Sequence, residues 1–303
     1  MNDQDMKIVV IGSINMDLVI MAPRLPSCGE TILGTDFFTN PGGKGANQAV
    51  AAARLGANVE MIGCVGNDPF GQELIANLQN EKVGISNIKI CNESPTGIAV
   101  ITVDQEGQNT IVVSSGANKK VGINLLQQGE EAIKQADIVL IQLEIPLATV
   151  YEAIKLTKRY NKFVILNPAP ALEIDTEILK LVDIITPNKT EGNILTNTAL
   201  SLKKNEEEVI KRLLKMGVKN VVMTCGGEGV IYNDNDDIQR IPAYPVKVVD
   251  TTAAGDCFNA ALAVAITEGN SLSQAVDYAQ KVASFAVSHK GAQQSLPFRK
   301  QLL

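Results

Sequence analysis

Four short segments of this chain carry residue types and spacings suited to chemistry on a small polar substrate. The first, Val249-Asp250-Thr251-Thr252-Ala253-Ala254-Gly255-Asp256-Cys257-Phe258, opens a helix with small residues and sets a carboxylate in its first turn. Successive free N–H groups at such a start form a pocket for developing negative charge, and Asp256 beside it can take a proton from an attacking hydroxyl. The same spacing suits a plain helix cap. In the second, Asn40-Pro41-Gly42-Gly43-Lys44-Gly45-Ala46-Asn47, glycines precede a helix containing Ala49, Ala51, Ala52 and Ala53. Glycines there either let backbone amides approach an oxygen-rich ligand or serve tight helix packing. This is not a Walker loop, because Gly45 and Phe38 stand where Ser/Thr and Gly are required. The third, Thr186-Pro187-Asn188-Lys189-Thr190-Glu191, ends a strand, the place where open α/β sheets bind ligands. Asn188 and Glu191 either orient a hydrated Mg²⁺ and phosphate oxygens or form a capping box. The fourth, Thr224-Cys225-Gly226-Gly227-Glu228-Gly229, is a glycine-rich turn fit for a nucleotide's phosphates or ribose.

Composition narrows the choice. The 303 residues include 27 Lys+Arg against 33 Asp+Glu, a net charge of −6, which argues against a nucleic-acid footprint or a cationic membrane face. At 45% hydrophobic and 20% charged the chain can bury a sizeable core. No stretch approaches the ~18 apolar residues of a membrane span, and the acidic start Met1-Asn2-Asp3-Gln4-Asp5 is no signal peptide, so a cytoplasmic protein is expected. Five scattered cysteines (28, 64, 91, 225, 257) lack CxxC spacing, which disfavours a disulfide framework or zinc site. His289 is the only histidine, and no G-x-S-x-G elbow exists for a hydrolase triad. The available chemistry is that of carboxylates, backbone amides and bound ions.

The elements that must position these groups alternate. The runs Ile8–Ile11, Val59–Gly63, Ile138–Leu143, Phe163–Leu166, Ile184–Thr186 and Val221–Thr224 are almost continuously apolar, as in strands covered on both faces. Helical patterns lie between or after them over 46–55, 71–82, 123–135, 149–159, 206–216, 254–268 and 272–288. The alternation predicts a doubly wound, mainly parallel α/β sheet flanked by helices, as one domain over 1–303. Two regions break the rhythm. Residues 94–114 read as a β-hairpin, and residues 17–38 add short extended pieces around Pro23, Pro26 and Gly29. Both are expected in a small separate sheet whose bare edges suit a lid, a dimer contact or both. The run 233–237 lacks the Gly and Glu of a calcium loop and reads as a hairpin turn.

Together with Gly12-Ser13-Ile14-Asn15-Met16-Asp17, the four segments stand in the order and spacing of the ribokinase branch of the PfkB sugar-kinase family. The chain resembles that family from Ile8 to about Pro297. The Asp250–Asp256 string and Gly42-Gly43-Lys44-Gly45-Ala46-Asn47 carry most of the resemblance. It implies a ribokinase-like fold and ATP-dependent phosphorylation of D-ribose at the 5-hydroxyl, with Asp256 as base. The amides of Ala253, Ala254 and Gly255 would form the anion hole. Asn15, Met16, Asp17, Gly43, Lys44, Gly45, Ala46, Asn47 and Glu144 match the sugar site. Asn188, Thr224, Cys225, Gly226, Gly227, Glu228, Gly229, Gly255 and Gln280 match nucleotide contacts, and Glu191 resembles a ligand to Mg²⁺ through water. A K⁺ ion would be held by Asp250, Thr252, Ala286, His289, Gly291 and Ser295, several through carbonyls. The strand pattern of the small sheet adds the expectation of a homodimer through the lid.

Cys257 and Ala260 depart mildly from the commonest family form, where Thr and Gly are frequent. Other family kinases, acting on 2-deoxyribose, fructose or nucleosides, are the alternative, followed by a non-catalytic sugar or nucleotide sensor on the same fold. An intact Asp256 favours the enzyme, since a sensor needs no base.

Overall fold

The computed structural model describes residues 6–198, 206–235 and 237–302. The chain runs β1 (Lys7–Ile11), β2 (Asn15–Met21), β3 (Asp36–Gly42), α1 (Lys44–Arg54), β4 (Asn58–Gly66), α2 (Pro69–Asn80) and β5 (Gly84–Cys91). It continues through β6 (Gly97–Val103), β7 (Asn109–Ser114), α3 (Ile123–Gln128), α4 (Glu130–Gln135), β8 (Ile138–Ile141), α5 (Leu147–Arg159) and β9 (Phe163–Leu166). Next come α6 (Thr176–Leu179), β10 (Ile184–Ile185), α7 (Lys189–Leu195), α8 (Glu206–Lys215) and β11 (Asn220–Thr224). The last elements are β12 (Val230–Asp234), β13 (Asp237–Ile241), α9 (Ala254–Thr267) and α10 (Leu272–Val287).

Nine strands form one sheet in the order β13-β12-β11-β10-β9-β8-β1-β4-β5, parallel except for β12 and β13. Alternate residues of each buried strand point to opposite faces. In β1, Ile8 and Val10 pack into a core with α1, α2, α9 and α10, while Val9 and Ile11 enter a second core with the helices from α3 to α8. The expected doubly wound sheet is thus present, with helices on both faces. A separate four-stranded sheet has the order β3-β2-β6-β7. It unites the 94–114 hairpin with the 17–38 region, whose strands start earlier and end later than expected. Pro23, Pro26 and Gly29 fall in the connection between β2 and β3.

Some differences have physical reasons. The helix expected over 123–135 is interrupted at Gly129, where any Cβ would lie 2.6 Å from the Ile62 side chain. β5 is an edge strand with mixed burial, so it shows no apolar run. β12 and β13 form the hairpin expected around 233–237, though Asp236 and the acidic residues 1–5 lie outside the described residues. Cys28 is exposed and the other four cysteines are buried thiols, with the sulfurs of Cys64 and Cys91 2.6 Å apart across β4 and β5. Among the described residues no helix is long and apolar enough to cross a membrane.

One side chain ties the two sheets together. Asp68 caps α2 by accepting from Gly71 N at 2.8 Å, and it also accepts from Thr96 N and Oγ1, both at 2.7 Å, at the root of β6. Burial pushes this carboxyl up, but its hydrogen bonds with Thr96 and Gly71 outweigh that and hold it below the usual range. The folded state therefore prefers the ionised form, and its contribution is lost as pH falls through the carboxylate range. Asp68→Ala is expected to cost about 1–3 kcal/mol at pH 7, with a smaller difference at pH 3, in paired denaturant melts. An equal cost at both pH values would contradict this account.

Candidate active site

The turn from β1 to β2 and the start of α1 are built against each other. Ser13 lends its carbonyl to Ala46 N at 2.9 Å, and its hydroxyl donates to Glu144, whose carboxylate also accepts from Lys44 N at 3.3 Å. Gly43, at φ 89°, has no room for a Cβ, which would lie 2.7 Å from Asn15 N, and at Gly45 one would meet Ser13 N at the same distance. Tight packing thus explains these two glycines, and it also sets Lys44 and Asn47 toward Asp256. Asn118 holds the turn. Its Oδ1 accepts from Ile14 N at 2.9 Å, and its Nδ2 donates to Ile14 O at 3.1 Å and Asn15 Oδ1 at 2.7 Å.

Asp256 does not cap α9. The cap position is Ala253, a left-handed residue at φ 58°, and no side chain caps this helix start. Both oxygens of Asp256 instead face α1, accepting from Asn47 Nδ2 at 3.0 Å and Gln48 Nε2 at 3.1 Å. Burial, with only 6% of the residue exposed, pushes this carboxyl up, while Lys44 and the two amides pull it back. Asp17 faces the same space from β2. Burial first, then Glu144 and Asp256, push it up to about 7 against the pull of Lys44. Burial alone would lower Lys44, yet Asp256, Glu144, Glu191 and Asp17 together raise it. Asp17, Lys44, Glu144, Glu191 and Asp256 therefore share one electrostatic field, with a single cation among four carboxylates. The carboxylates can accept from the hydroxyls of a polyhydroxylated sugar, while Lys44 and the start of α9, where Ala254 N donates to Thr251 O at 3.3 Å, are the groups a phosphate could turn to.

On the adjoining side, Asn188 and Glu191 form the capping box allowed by their spacing, each accepting from the other's backbone N at 2.8 Å. Asn188 pairs with Thr224, and Cys225 N donates to Gly229 O at 2.7 Å to close the turn. Gly226, Gly227 and Gly255 would each leave an added Cβ in open space, so no side chain crowds these backbones. Glu228 is paired with Lys189 at 2.8 Å, and the Cys225 thiol is pushed up to about 11 by burial. Gln280 stands farther back and donates to Pro242 O at 3.2 Å, behind Gly229.

Asp250 joins the loops at 250–252 and 286–291. It accepts from Thr252 N at 2.9 Å, Thr252 Oγ1 at 2.6 Å and Gly291 N at 2.9 Å. The His289 ring stacks on Phe285 at 4.3 Å, with Nδ1 2.9 Å from Phe285 O, so its imidazole turns back onto α10. Ser295 N and Oγ both donate to Ala292 O, and Ala286 O accepts from His289 N. One carboxylate with loop carbonyls is an all-oxygen donor set fit for a hard cation. Among the described residues no three His, Cys, Asp or Glu side chains cluster as metal ligands, so Glu191 fits Mg²⁺ only as one ligand beside waters and phosphate.

The residues that the sequence reading passed over are amides. Gln48, Asn118, Gln142, Asn167 and Gln293 are all buried, and Gln293 Nε2 donates to Asn47 Oδ1 at 3.2 Å. For Gln48 a signal existed, namely a long polar residue on an otherwise alanine-rich helix that must pack inward.

Comparison with known proteins accords with this geometry. The profile described as pfkB family carbohydrate kinase matches residues 5–299. A ribokinase of Bacillus subtilis is 42% identical over 295 residues, covering 97% of each chain. A deoxyribokinase of Salmonella typhi is 35% identical, covering 98% of this chain and 97% of its own. The structure of Arabidopsis thaliana ribokinase complexed with ribose and ATP superposes with a TM-score of 0.91 at 35% identity, covering 99% of this chain and 98% of that one. With a buried carboxylate at the start of α9, a two-sheet fold shared with solved ribokinases and a family match over nearly its whole length, the chain belongs to the pfkB family of carbohydrate kinases.

Proposed function

We propose that this chain transfers the γ-phosphoryl group of ATP to the 5-hydroxyl of D-ribose, with Asp256 as the general base. The observation that carries the reading is Asp256 itself, a buried carboxylate held by two amide donors beside Lys44 rather than spent on capping its helix. The base accepts the hydroxyl proton as the sugar oxygen attacks, while the N–H groups of Ala253, Ala254 and Gly255 receive the charge on the transferring phosphoryl group. Asn15, Asp17, Gly43, Lys44, Asn47 and Glu144 hold and orient the sugar, with Met16, Gly45 and Ala46 packed behind them. Asn188, the turn from Thr224 to Gly229, Gly255 and Gln280 form the nucleotide side. Glu191 would hold Mg²⁺ through water, and Mg²⁺ would neutralise phosphate charge. Asp250, Thr252 and the carbonyls near Ala286, His289, Gly291 and Ser295 would hold K⁺, ordering the loop behind the anion hole.

Asp256→Asn keeps size and helix start but removes the proton acceptor. ADP release with ribose should fall roughly 10²–10⁴-fold in kcat with ribose and ATP binding retained. Wild-type turnover should be well above background with ribose, in parallel with 2-deoxyribose, fructose and adenosine, and higher in K⁺ than in Na⁺. Normal turnover in the mutant would overturn the assignment of the base.

Asp17 carries a second test. The folded protein holds its proton more tightly than the unfolded chain does, so ionisation costs stability as pH rises from about 4 through about 7. Asp17→Asn should weaken ribose binding by on the order of 1.5–3 kcal/mol and leave ATP binding unchanged. The same mutant should be more stable than wild type by on the order of 2–4 kcal/mol at pH 8, with the gain gone at pH 4. Loss of ATP affinity with ribose affinity intact would reverse the two subsites.

The small sheet acts as a lid over the sugar and as the contact of a homodimer. β7 is exposed at every position, and Phe37, Ile111 and Val112 are 63%, 55% and 71% exposed. An apolar sheet open on its flank and at an edge needs cover, and a second copy supplies it. Val112→Lys should shift sedimentation at micromolar concentration from dimer to monomer, whereas a wild type already monomeric would exclude this contact.

A further inference from the structure

Gln48 is fully buried, one helical position past Asn47, and lies among alanines on the face of α1 that meets α9. Its amide has three named neighbours and one possible orientation. Nε2 faces two acceptors, Asp256 Oδ1 at 3.1 Å and Asn167 Oδ1 at 3.2 Å, while Oε1 accepts from Gln142 Nε2 at 2.6 Å. Asn167 is itself oriented, because its Nδ2 donates to Thr186 O at 3.3 Å. An ionised carboxylate only accepts, so neither Gln48 nor Gln142 can flip its amide without setting like atoms against each other. Gln142 Oε1 is a buried oxygen with no hydrogen-bond partner, and it lies where a Cβ on Gly12 would stand. That unmet acceptor is tolerated while the other end of Gln142 fixes Gln48.

We propose that Gln48 is the positioning residue for the base: locked by Gln142 and Asn167, it grips the inner oxygen of Asp256 and leaves the oxygen on Asn47 to receive the sugar hydroxyl. The inference rests on the reading of Asp256 as base. The two oxygens are not equivalent. Gln48 is 0% exposed, whereas Asn47 is 6% exposed and its own partner, Gln293, comes from the 3₁₀ turn Gln293–Ser295. A sugar can displace the amide of Asn47 from the accessible side but cannot reach that of Gln48. Gln48 thus holds the carboxylate plane through the reaction and, as a donor, favours its ionised form. The charged groups that also act on Asp256 are Lys44 of α1, Glu144 after β8, Asp17 of β2 and Glu191 of α7, and none of them touches Gln48.

Gln48→Met keeps side-chain length and removes the donor, and Gln142→Met leaves Gln48 in place but frees its amide to turn. Gln48→Met should lower kcat roughly 10- to 100-fold, the worth of one charge-assisted hydrogen bond read as a rate. The KM for ribose and for ATP should stay within about twofold, and the acid limb of the kcat–pH profile should move to higher pH. Gln142→Met should move the same limb the same way by less. A lower melting temperature with the acid limb unmoved in both variants would mean a merely structural network and overturn the proposal. If Gln48→Met does not fold, an unmoved limb in Gln142→Met alone overturns it. Asp256→Asn run alongside separates the two claims: full turnover there removes the base reading and this inference with it, whereas collapsed turnover with unmoved limbs removes only this inference.

Discussion

A carboxylate buried at the start of a helix is the constraint around which this molecule is arranged. Out of water, an ionised Asp256 needs donors on each oxygen or it takes up a proton. The donors come from α1, so α1 and α9 must pack closely enough for two amides to span the gap. Small residues make that approach possible. Ala46 and Ala49 of α1 and Ala260, Ala261 and Ala263 of α9 are all buried in the same core. Both helices cover the sheet near β1, whose C-terminal end delivers Ser13 to the first turn of α1.

The same constraint shapes the approach from the other sheet. Only Gly12, Ser13 and Ile14 separate β1 from β2, and Asn118 clamps that short span, so the small sheet departs from the main one at a fixed point. Asp17 is thereby held in the field of Glu144 and Asp256, where its charge is unwelcome. Gathering so many acceptors sets like charges together, and among the described residues Lys44 is the cation that acts on Asp17 and Asp256. Binding geometry and stability pull in opposite directions here, as expected where a fold keeps polar groups in wait for a ligand.

Much of the architecture was legible in the chain. Strands buried on both faces announce themselves as unbroken β-branched runs, and the two segments that broke the rhythm did form a second sheet. Edge strands such as β5 were not legible, since half-exposed positions admit Asn87 and Lys89 and blur the pattern. In the site, residues in small-residue motifs were visible because glycine and aspartate in one short string have few other uses. The amide network was not. Gln142 sits at an apolar strand end, Asn118 in a short 3₁₀ turn over Gly116–Lys120 and Asn167 in a loop, where each reads as an ordinary polar residue. Only the tertiary fold tells which buried amide meets which acceptor.

The central pairing of the small sheet joins β2 to β6 in parallel, from Asn15 opposite Gly97 to Met21 opposite Val103. Between those strands the chain makes α1, β4, α2 and β5, all of which belong to the other layer. Each outer strand, β3 or β7, can zip onto its neighbour locally, but a lone hairpin is marginal in water. The two hairpins can meet only after the intervening segment has found its place against β1, because closing so long a loop brings no return until then. The order of assembly therefore runs from the nine-stranded sheet to the four-stranded one. A growing chain released before residue 97 carries β2 with one edge bare, and that edge is where folding of this molecule is most open to pairing with the wrong strand.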